Sequence, residues 1–242
     1  MTRTIRYKQI ASDLRRRVEE LGVGNLLSSE SDLSAEFGAS RVTVRRALEQ
    51  LRQEGLVESR QGFGWFVSGE PLRQRLTELV TIEGQLEERG FEPTRQILEF
   101  AFEAAPPRVR KALMCEQVLR VKRLNLADGH PFAVVTVWCP SELGQLLSRR
   151  EVERKPFYEL LDVELRGATQ TIGADVASAE IAGLLKVPAG SPVLRCERVT
   201  TDVDGNPVLM SEHLFAAHRT EFVVELPLSV PSTTPSGLRL VD

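Results

Sequence analysis

Residues 29–67 read SESDLSAEFGASRVTVRRALEQLRQEGLVESRQGFGWFV, and this stretch decides the fold of the N-terminal part of the chain. Ser29 is suited to cap a short helix, and Ser40, after the glycine of a tight turn, is suited to cap a second helix rich in arginine. Two strand-like runs, 56–59 and 65–67, flank a glycine-rich tip. This order of elements predicts a winged helix-turn-helix, the fold that places one helix in the major groove of DNA.

The second of these helices has an apolar face and an arginine-rich face. Four of its apolar residues fall within roughly 100° of arc around the helix axis, which predicts that this side is buried. They are Val44, Ala47, Leu48 and Leu51. A recognition helix enters the groove by its first turns, where arginine can donate two hydrogen bonds to guanine and a valine methyl group can contact thymine. The residues of these turns, which we expect to contact DNA, are Arg41, Val42, Thr43, Arg45 and Arg46.

The backbone near this helix offers further candidate contacts. The free N–H groups at Ser40 and its neighbours can hold a phosphate. In the wing tip, Gly62 and Gly64 let the backbone lie against a phosphate or enter the minor groove. An arginine-rich helix of this kind, taken alone, is more often a solvated amphipathic helix. The hairpin that comes immediately after it favours DNA binding.

Composition limits how the chain can bind nucleic acid. The formal net charge is −3, and residues 1–70 hold 11 Lys and Arg against 10 Asp and Glu. DNA affinity must therefore come from a local arrangement of arginines. Cys115, Cys139 and Cys196 lack the spacing of metal ligands or redox pairs, so we expect reduced thiols and neither metal nor cofactor. The sequence has no signal-peptide pattern and no run near the ~18 apolar residues of a membrane span, which predicts a cytoplasmic protein without a membrane partner.

An internal repeat organises the rest of the chain. VLRVKRLNLADGHPF (118–132) parallels VLRCERVTTDVDGNPV (193–208), and each copy has an Asp-Gly dipeptide between two strand-like runs, a strong signal for a hairpin. Short amphipathic helices are predicted before each copy at 108–113 and 179–185, and earlier strands at 95–104 and 169–177. A helix is also predicted at 76–89. The pattern predicts an α+β domain with a mostly antiparallel sheet.

Residues 7–67 resemble the DNA-binding domain of the GntR family of bacterial transcription regulators, through YKQIASDLR, FGASRVTVRRAL, LRQEGLV and RQGFGWFV. The resemblance implies operator-base contacts for Arg41 and Arg45. It implies contacts to the DNA backbone for Ser29, Ser40, Thr43 and Gly64. The chain departs from the family pattern at three places, where Ser28 replaces a proline, Trp65 replaces a threonine, and GVGN replaces the usual Pro-Gly.

Residues 75–226 resemble the UTRA domain of the HutC subfamily, which has a chorismate-lyase-like fold. The motifs are RVKRLNLADGHPF, PFYELL and LLKVPAGSPVLRCERVTTDVDGNPV. The resemblance implies a small effector between the halves of the sheet. The positions that it implies for effector binding are Thr81, Arg123, Tyr158, Arg166, Thr169 and Glu212. The residues themselves leave alternatives open, since Arg123 can pair with a carboxylate, Tyr158 can be a core residue and Glu212 can lie on a solvated face.

Three departures from the subfamily concern the nature of the effector. Relatives that bind phosphorylated sugars tend to have a serine at the position of Pro156 and another serine near the position of Glu83. Val135 stands where the subfamily typically has a glutamate. Proline donates no hydrogen bond and a glutamate repels a phosphate. We therefore expect an effector that is less anionic and more apolar than a sugar phosphate.

These features predict a ligand-responsive repressor that binds a two-fold operator on double-stranded DNA as a homodimer. The expected domains are a winged helix-turn-helix at 1–70, a linker at 71–78, a UTRA ligand-binding and dimerisation domain at 79–228 and a loose tail at 229–242. The alternatives are an enzyme built on the chorismate-lyase-like fold and an architectural DNA protein without an effector. No nucleophile and base pair is evident in the sequence, so the chain is not expected to be an enzyme.

Overall fold

The structure is a computed structural model that describes residues 2–60, 64–69, 72–75, 82–87 and 90–225. Its N-terminal part, residues 2–69, is called the head below, and residues 72–225 are called the body. The head contains three helices and one hairpin. These elements are α1 (Thr2–Leu21), α2 (Glu30–Glu36), α3 (Arg41–Gln53), β1 (Val57–Arg60) and β2 (Gly64–Val67).

The two helix caps predicted from the sequence are confirmed. Ser29 Oγ accepts a hydrogen bond from the Asp32 backbone N–H at 3.1 Å, and Ser40 Oγ accepts one from the Thr43 N–H at 3.3 Å. The predicted buried face of α3 is also confirmed, because all four of its apolar residues are 0% exposed and pack in one core with Leu14 of α1. The hairpin β1–β2 is antiparallel and follows α3 directly, so the head is a winged helix-turn-helix.

The body has eight further strands and six short helices in its described residues. These elements are β3 (Leu72–Arg75), α4 (Ile82–Glu87), β4 (Pro93–Ala104), α5 (Pro107–Leu113), β5 (Gln117–Ala127), β6 (His130–Pro140), α6 (Ser141–Gly144), α7 (Arg149–Arg154), α8 (Phe157–Leu160), β7 (Leu165–Val176), α9 (Ala179–Leu185), β8 (Pro192–Asp202), β9 (Pro207–Ala216) and β10 (Thr220–Val223).

Six of these strands form one antiparallel sheet in the order β4-β5-β6-β9-β8-β7. The pairing of β6 with β9 joins the two copies of the repeat, so the sheet order is symmetrical about that pair. Both predicted hairpins form; at the first turn Asp128 and Gly129 have φ of 50° and 75°, the left-handed values that a two-residue turn of this kind requires. The α+β prediction is therefore confirmed.

Helices cover both faces of the sheet. On one face the apolar side chains of β5, β6 and β9 pack against α6, α7 and α8 around Phe157 and Phe215. On the other face α5 packs around Trp138 and Met210, and α9 packs around Leu185. The cleft described below lies on the face that α6, α7 and α8 cover.

The segment that leaves the head differs in part from the prediction of a plain linker at 71–78. Residues 72–75 form β3, which pairs in parallel with β10 at the other end of the body. The sequence of this strand is too short and too polar to signal a strand by alternation, and its partner is about 150 residues away. Helix α4 agrees with part of the helix predicted at 76–89; residues 76–81 and 88–89 and the predicted tail at 229–242 lie outside the described residues, and the domain boundaries stay predictions.

Candidate DNA-binding surface and ligand cleft

The first two turns of α3 lie on the surface of the head. Ser40 caps the helix, and its Oγ lies 2.9 Å from Thr43 Oγ1. Val42 is 72% exposed, and Arg41, Arg45 and Arg46 are exposed as well. The five predicted contact residues of this helix thus lie together on the surface that the buried face leaves accessible, with Val42 and Arg46 facing away from the core.

A network behind the helix orients Arg45. Its Nε and Nη2 donate to the two carboxylate oxygens of Glu30, both at 2.9 Å. Trp65 Nε1 donates to Glu30 Oε1 at 3.1 Å, and the hydrogen bond from Arg45 holds the pKa of Glu30 below its ordinary value. Trp65, which departs from the family pattern, therefore anchors the carboxylate that positions Arg45. The Arg45 side chain stays 65% exposed, so its guanidinium remains accessible to a ligand in solution.

The other two arginines of this surface have weaker partners. Arg41 Nη2 donates to Ser31 Oγ at 2.9 Å, and the Arg46 guanidinium lies 4.4 Å from the centre of the Tyr7 ring. Contacts of this exposed kind contribute about 1 kcal/mol or less. Each guanidinium is thus oriented at low cost and can exchange its partner for a phosphate or a base.

The remaining predicted DNA contacts lie around these arginines. Ser29 caps α2 and also donates to Asp32 Oδ2 at 2.7 Å. Gly64 begins the second wing strand with φ of 96°, a value that favours glycine, and apart from its chain neighbours no atom of the described residues lies within 4 Å of the position of a Cβ there. Gly62 lies outside the described residues.

The body contains a cleft on the sheet face that faces α8. Its lining comes from both halves of the repeat and encloses about 50 Å³. The lining residues are Gln74, Glu83, Gln85, Arg123, Val137, Pro156, Phe157, Tyr158, Gln170, Cys196, Arg198, Leu209, Ser211, His213, Phe215 and Phe222. The Glu83 and Pro156 positions that distinguish this chain in sequence both belong to this set.

A buried ion cluster forms one wall of the cleft. Glu83 Oε1 accepts hydrogen bonds from Arg95 Nε and Asn125 Nδ2, both at 2.9 Å, and lies 3.6 Å from Arg123 Nη2. Burial by itself raises the pKa of Glu83, but Arg123 and Arg95 outweigh it and hold that pKa below its ordinary value. Burial lowers the pKa of Arg123 to about 10, so both groups are charged at neutral pH. The carboxylate pairing considered for Arg123 in the sequence is therefore the one observed.

The opposite wall is polar but carries no carboxylate of its own. Arg198 donates to Gln170 Oε1 at 2.8 Å and to Tyr158 Oη at 3.1 Å. His213 lies 3.1 Å from Ser211 Oγ, and burial lowers the pKa of His213 to about 3, so the ring is neutral. This wall can hold a neutral or singly anionic group through Arg198, Gln170 and Ser211.

The predicted effector residues divide between the cleft and other places. Arg123 and Tyr158 line the cleft. Arg166 and Thr169 are exposed on β7 away from the lining, and Thr81 lies outside the described residues. Glu212 lies on the other face of the sheet, where it accepts a hydrogen bond from Arg108 at 2.8 Å.

Strand alternation explains which residues the sequence interpretation missed. Successive side chains of a strand point to opposite faces, so Ser211 and His213 face the cleft and Glu212 between them does not. The register pairs Gln170 with Arg198, which brings Gln170 to the lining and leaves its neighbour Thr169 on the far face. The internal repeat could have identified Arg198 as a cleft residue, because Arg198 occupies in the second copy the position that Arg123 occupies in the first.

Two further features, a metal-ligand cluster and a membrane-spanning helix, are absent from the described part of the chain. No group of three or more His, Cys, Asp or Glu side chains that could hold a metal occurs among residues 2–60, 64–69, 72–75, 82–87 and 90–225. Within those same ranges, no helix has the length and hydropathy to cross a membrane.

Two family models match the chain in the order that the fold indicates. Residues 6–67 match the model described as bacterial regulatory proteins, gntR family, and residues 88–221 match the UTRA domain. The HTH-type transcriptional regulator Rv0792c of Mycobacterium tuberculosis is 32% identical over 97% of this chain and 89% of its own length. The HTH-type transcriptional repressor NagR of Bacillus subtilis is 27% identical over 90% of this chain and 93% of its own.

Solved structures agree on the fold. PhnF from Mycobacterium smegmatis superposes with a TM-score of 0.61 at 22% identity, over 91% of this chain and 100% of that one. The match extends across head and body together, so their succession in one chain is shared as well.

The ion cluster yields a stability prediction. We expect Glu83→Gln to destabilise the body by about 3–5 kcal/mol at pH 7, because it leaves the buried Arg123 without its carboxylate. The difference from the parent should be full above pH ~4.5 and shrink as the pH falls through the lowered pKa of Glu83, since protonation removes the same charge. Urea unfolding followed by Trp138 fluorescence in a Trp65→Phe background measures it.

Glu87→Gln is the matched control, because Glu87 is an exposed carboxylate on the same helix. It should change the stability by less than about 0.5 kcal/mol at any pH. Equal unfolding midpoints for the two variants at pH 7 would contradict a structural role for the cluster.

Proposed function

Since the chain belongs to the GntR family of bacterial transcription regulators and carries a UTRA domain, we propose that it is a repressor that binds a two-fold operator as a homodimer. A small molecule in the cleft of the body sets its affinity for DNA. The observation that carries the proposal is the cluster of exposed, oriented arginines on the first turns of α3. Two relatives, NagR of Bacillus subtilis and MngR of Escherichia coli, are named as repressors, which supports the sign of the regulation.

In this proposal α3 lies in the major groove and the wing lies against the neighbouring backbone. Arg41 and Arg45 contact bases, and Val42, 72% exposed at the middle of the surface, contacts a thymine methyl group. Ser29, Ser40 and Thr43 contact phosphates at the two helix starts. When the head docks on DNA, the Arg45 guanidinium can leave Glu30 at a small cost in free energy, because the arginine side of this ion pair is exposed to solvent.

A single head makes too few contacts for tight binding, so two heads are required. The two edges of the sheet differ in how they could join a second copy. Strand β4 carries Arg95, Glu99 and Glu103 and has an irregular register at Ile97/Glu99, two features that protect an edge from pairing. Strand β7 has no charged side chain between Gly167 and Ala174 and pairs with β8 without a break there. We place the dimer contact at β7, antiparallel to its copy.

The cleft suits an effector that is neutral or carries one negative charge. Glu83 is ionised in its wall and repels a phosphate dianion, and Pro156 offers no N–H. Arg198, without a carboxylate partner among the described ion pairs, can bind one anionic or carbonyl group of a ligand, with Phe157, Leu209 and Phe222 as the apolar surroundings. The cleft as observed encloses about 50 Å³, so an effector must widen it.

Widening the cleft would act on the head through a short segment. Phe215 and Phe222 line the cleft, and between them His218 and Arg219 contact the Gly24 carbonyl of the head. Strand β3, the exit from the head, pairs with β10 in this same segment and contributes Gln74 to the lining. An effector changes DNA affinity only by binding one arrangement of the heads more tightly than the other, a coupling of typically 1–3 kcal/mol.

Binding, and not catalysis, is the proposed role of the body. Burial raises the pKa of Cys139 and Cys196 to about 12, which leaves both thiols protonated and poorly nucleophilic. His213 is held neutral with a pKa of about 3 and is therefore a poor general base. The relatives named above are transcription regulators, which favours the same conclusion.

The DNA-binding surface can be tested with duplexes selected from a random pool on the full chain. Arg41→Ala and Arg45→Ala should each weaken binding of the selected duplex by about 1–3 kcal/mol, because each removes a bidentate base contact. Arg52→Ala, on the last turn of the same helix, is the matched control and should stay within about 0.5 kcal/mol. Fluorescence anisotropy gives the affinities, and equal losses in all three variants would refute the assignment of the groove-facing turns.

The dimer contact can be tested by sedimentation equilibrium. The full chain should sediment at twice 27.0 kDa. Ile172→Lys and Val176→Lys on β7 should raise the dimer dissociation constant at least about tenfold, because a lysine on an edge strand opposes pairing. Phe102→Lys on β4 is the control, since Phe102 is 50% exposed and β4 is the edge strand at the other end of the sheet from β7. Dissociation by the Phe102 variant alone would move the interface to β4.

The effector class can be tested by titration calorimetry with glucosamine 6-phosphate. We expect a dissociation constant above about 1 mM, because the phosphate dianion meets the ionised Glu83. Micromolar binding of this compound would overturn the proposed class. A thermal-shift screen of neutral and singly anionic metabolites supplies the positive arm, with Arg198→Gln expected to abolish the shift of any hit.

A further inference from the structure

A second cavity, called the joint cavity below, lies where the head meets the body. It encloses about 280 Å³, against about 50 Å³ for the cleft, and shares no lining residue with the cleft. Val23, Phe66 and Val67 of the head and Phe91, Ala127 and Phe132 of the body form most of its apolar wall. At ~30 Å³ per water in the liquid, this is room for about nine waters or a ligand of about 10–12 heavy atoms.

A glycine-rich loop of the head makes the joint cavity possible. Residues 22–25 read GVGN, the departure from the family pattern noted in the sequence, and both glycines have positive φ. A Cβ on Gly22 would lie 2.5 Å from His130 Nε2, and one on Gly24 would lie 3.0 Å from Arg219 Cγ. Asn25 Nδ2 lies 3.1 Å from His130 Nδ1 and fixes the loop on the body. The close approach of the loop backbone to the body places Val23 in the cavity lining, and the residue as a whole is 54% exposed.

Arg219 supplies a buried cation to the lining of the joint cavity. It is only 6% exposed, and its Nε and Nη1 donate to the carbonyl oxygens of Gly24 and Pro131. Its Nη2 is buried without a hydrogen-bond acceptor in the described structure, and none of the ion pairs among the described residues includes Arg219. Burial lowers its pKa to about 10, so the group is still a cation at neutral pH.

The two acidic residues of the cavity lining do not neutralise this cation. Asp128 Oδ1 accepts a hydrogen bond from the Glu92 backbone N–H at 2.8 Å, and Glu58 is exposed on β1. A buried cation without an anion is costly, and an anion placed beside it offsets that cost. A mostly apolar cavity gains hydrophobic free energy when an apolar group replaces its water.

We propose that the joint cavity is a second small-molecule site, which takes a compact aromatic carboxylate with its ring against Phe66, Val67 and Phe132 and its carboxylate on the Arg219 guanidinium. Such a ligand touches both head and body. It therefore favours the arrangement of the head seen here.

Calorimetric titration of the full chain with 3-phenylpropionate tests the site. The expected result is one site per chain, with at least tenfold weaker binding of propionate, which lacks the ring, and of 3-phenylpropanamide, which lacks the charge. Arg219→Gln should weaken 3-phenylpropionate at least tenfold and leave the amide unchanged. Val23→Trp should abolish binding, because a larger side chain at this partly exposed lining position fills the space that the ligand needs.

Arg198→Gln separates the two sites, because Arg198 lines the cleft and not the joint cavity. Unchanged binding of 3-phenylpropionate by this variant supports the proposal. Loss of binding in Arg198→Gln with retention in Val23→Trp would place the probe in the cleft and overturn it, as would absence of binding to the parent chain. None of these measurements involves DNA, so their failure is distinct from a failure of the proposed repressor function.

Discussion

The antiparallel pairing of β6 with β9 is the constraint on which the body depends. It places residues 133–138 of the first repeat copy against 210–215 of the second, at the centre of the six-stranded sheet. Because side chains alternate strictly along a strand, this one register decides which residue of each copy faces α8 and which faces α5. Arg123 and Arg198, equivalent in the repeat, are thereby brought to the same cleft, and a slip by one residue between β6 and β9 would place them on opposite faces of the sheet.

The two equivalent arginines nevertheless have different electrostatic surroundings. Arg123 is matched by Glu83, which α4 supplies from outside the repeat, whereas Arg198 donates to the Gln170 amide oxygen and the Tyr158 hydroxyl. In the proposed role of the cleft, this difference would orient an asymmetrical ligand with one anionic end, since Arg198 has no carboxylate partner among the described ion pairs. The head follows a similar principle, because Glu30 holds Arg45 on one side while the guanidinium stays open to solvent on the other.

Much of this arrangement was predictable from sequence, and the limits have physical reasons. Local signals sufficed for the helix caps at Ser29 and Ser40, for the buried face of α3 and for the Asp-Gly hairpins, because each depends on residues within a few positions. The contact of β3 with β10 was not predictable, because a four-residue strand with three polar residues carries no periodic pattern and its partner is remote in the chain. Ser211 and Gln170 line the cleft whereas the predicted residues next to them, Glu212 and Thr169, do not, and this one-residue difference depends on the pairing of the strands. Trp65 had no interpretation in sequence until its indole N–H was seen to reach Glu30.

The segment 215–222 contacts both the cleft and the head. Its ends, Phe215 and Phe222, line the cleft, and its middle, His218 and Arg219, contacts the head at Gly24 and lines the joint cavity. Packed segments of this kind shift between discrete positions more readily than they deform, so a displacement at either end is felt at the other. Linkage makes such coupling reciprocal: a ligand in the cleft that moves Arg219 away from Gly24 must be bound more weakly when the head is held in place, whether the head is held by DNA or by an occupant of the joint cavity.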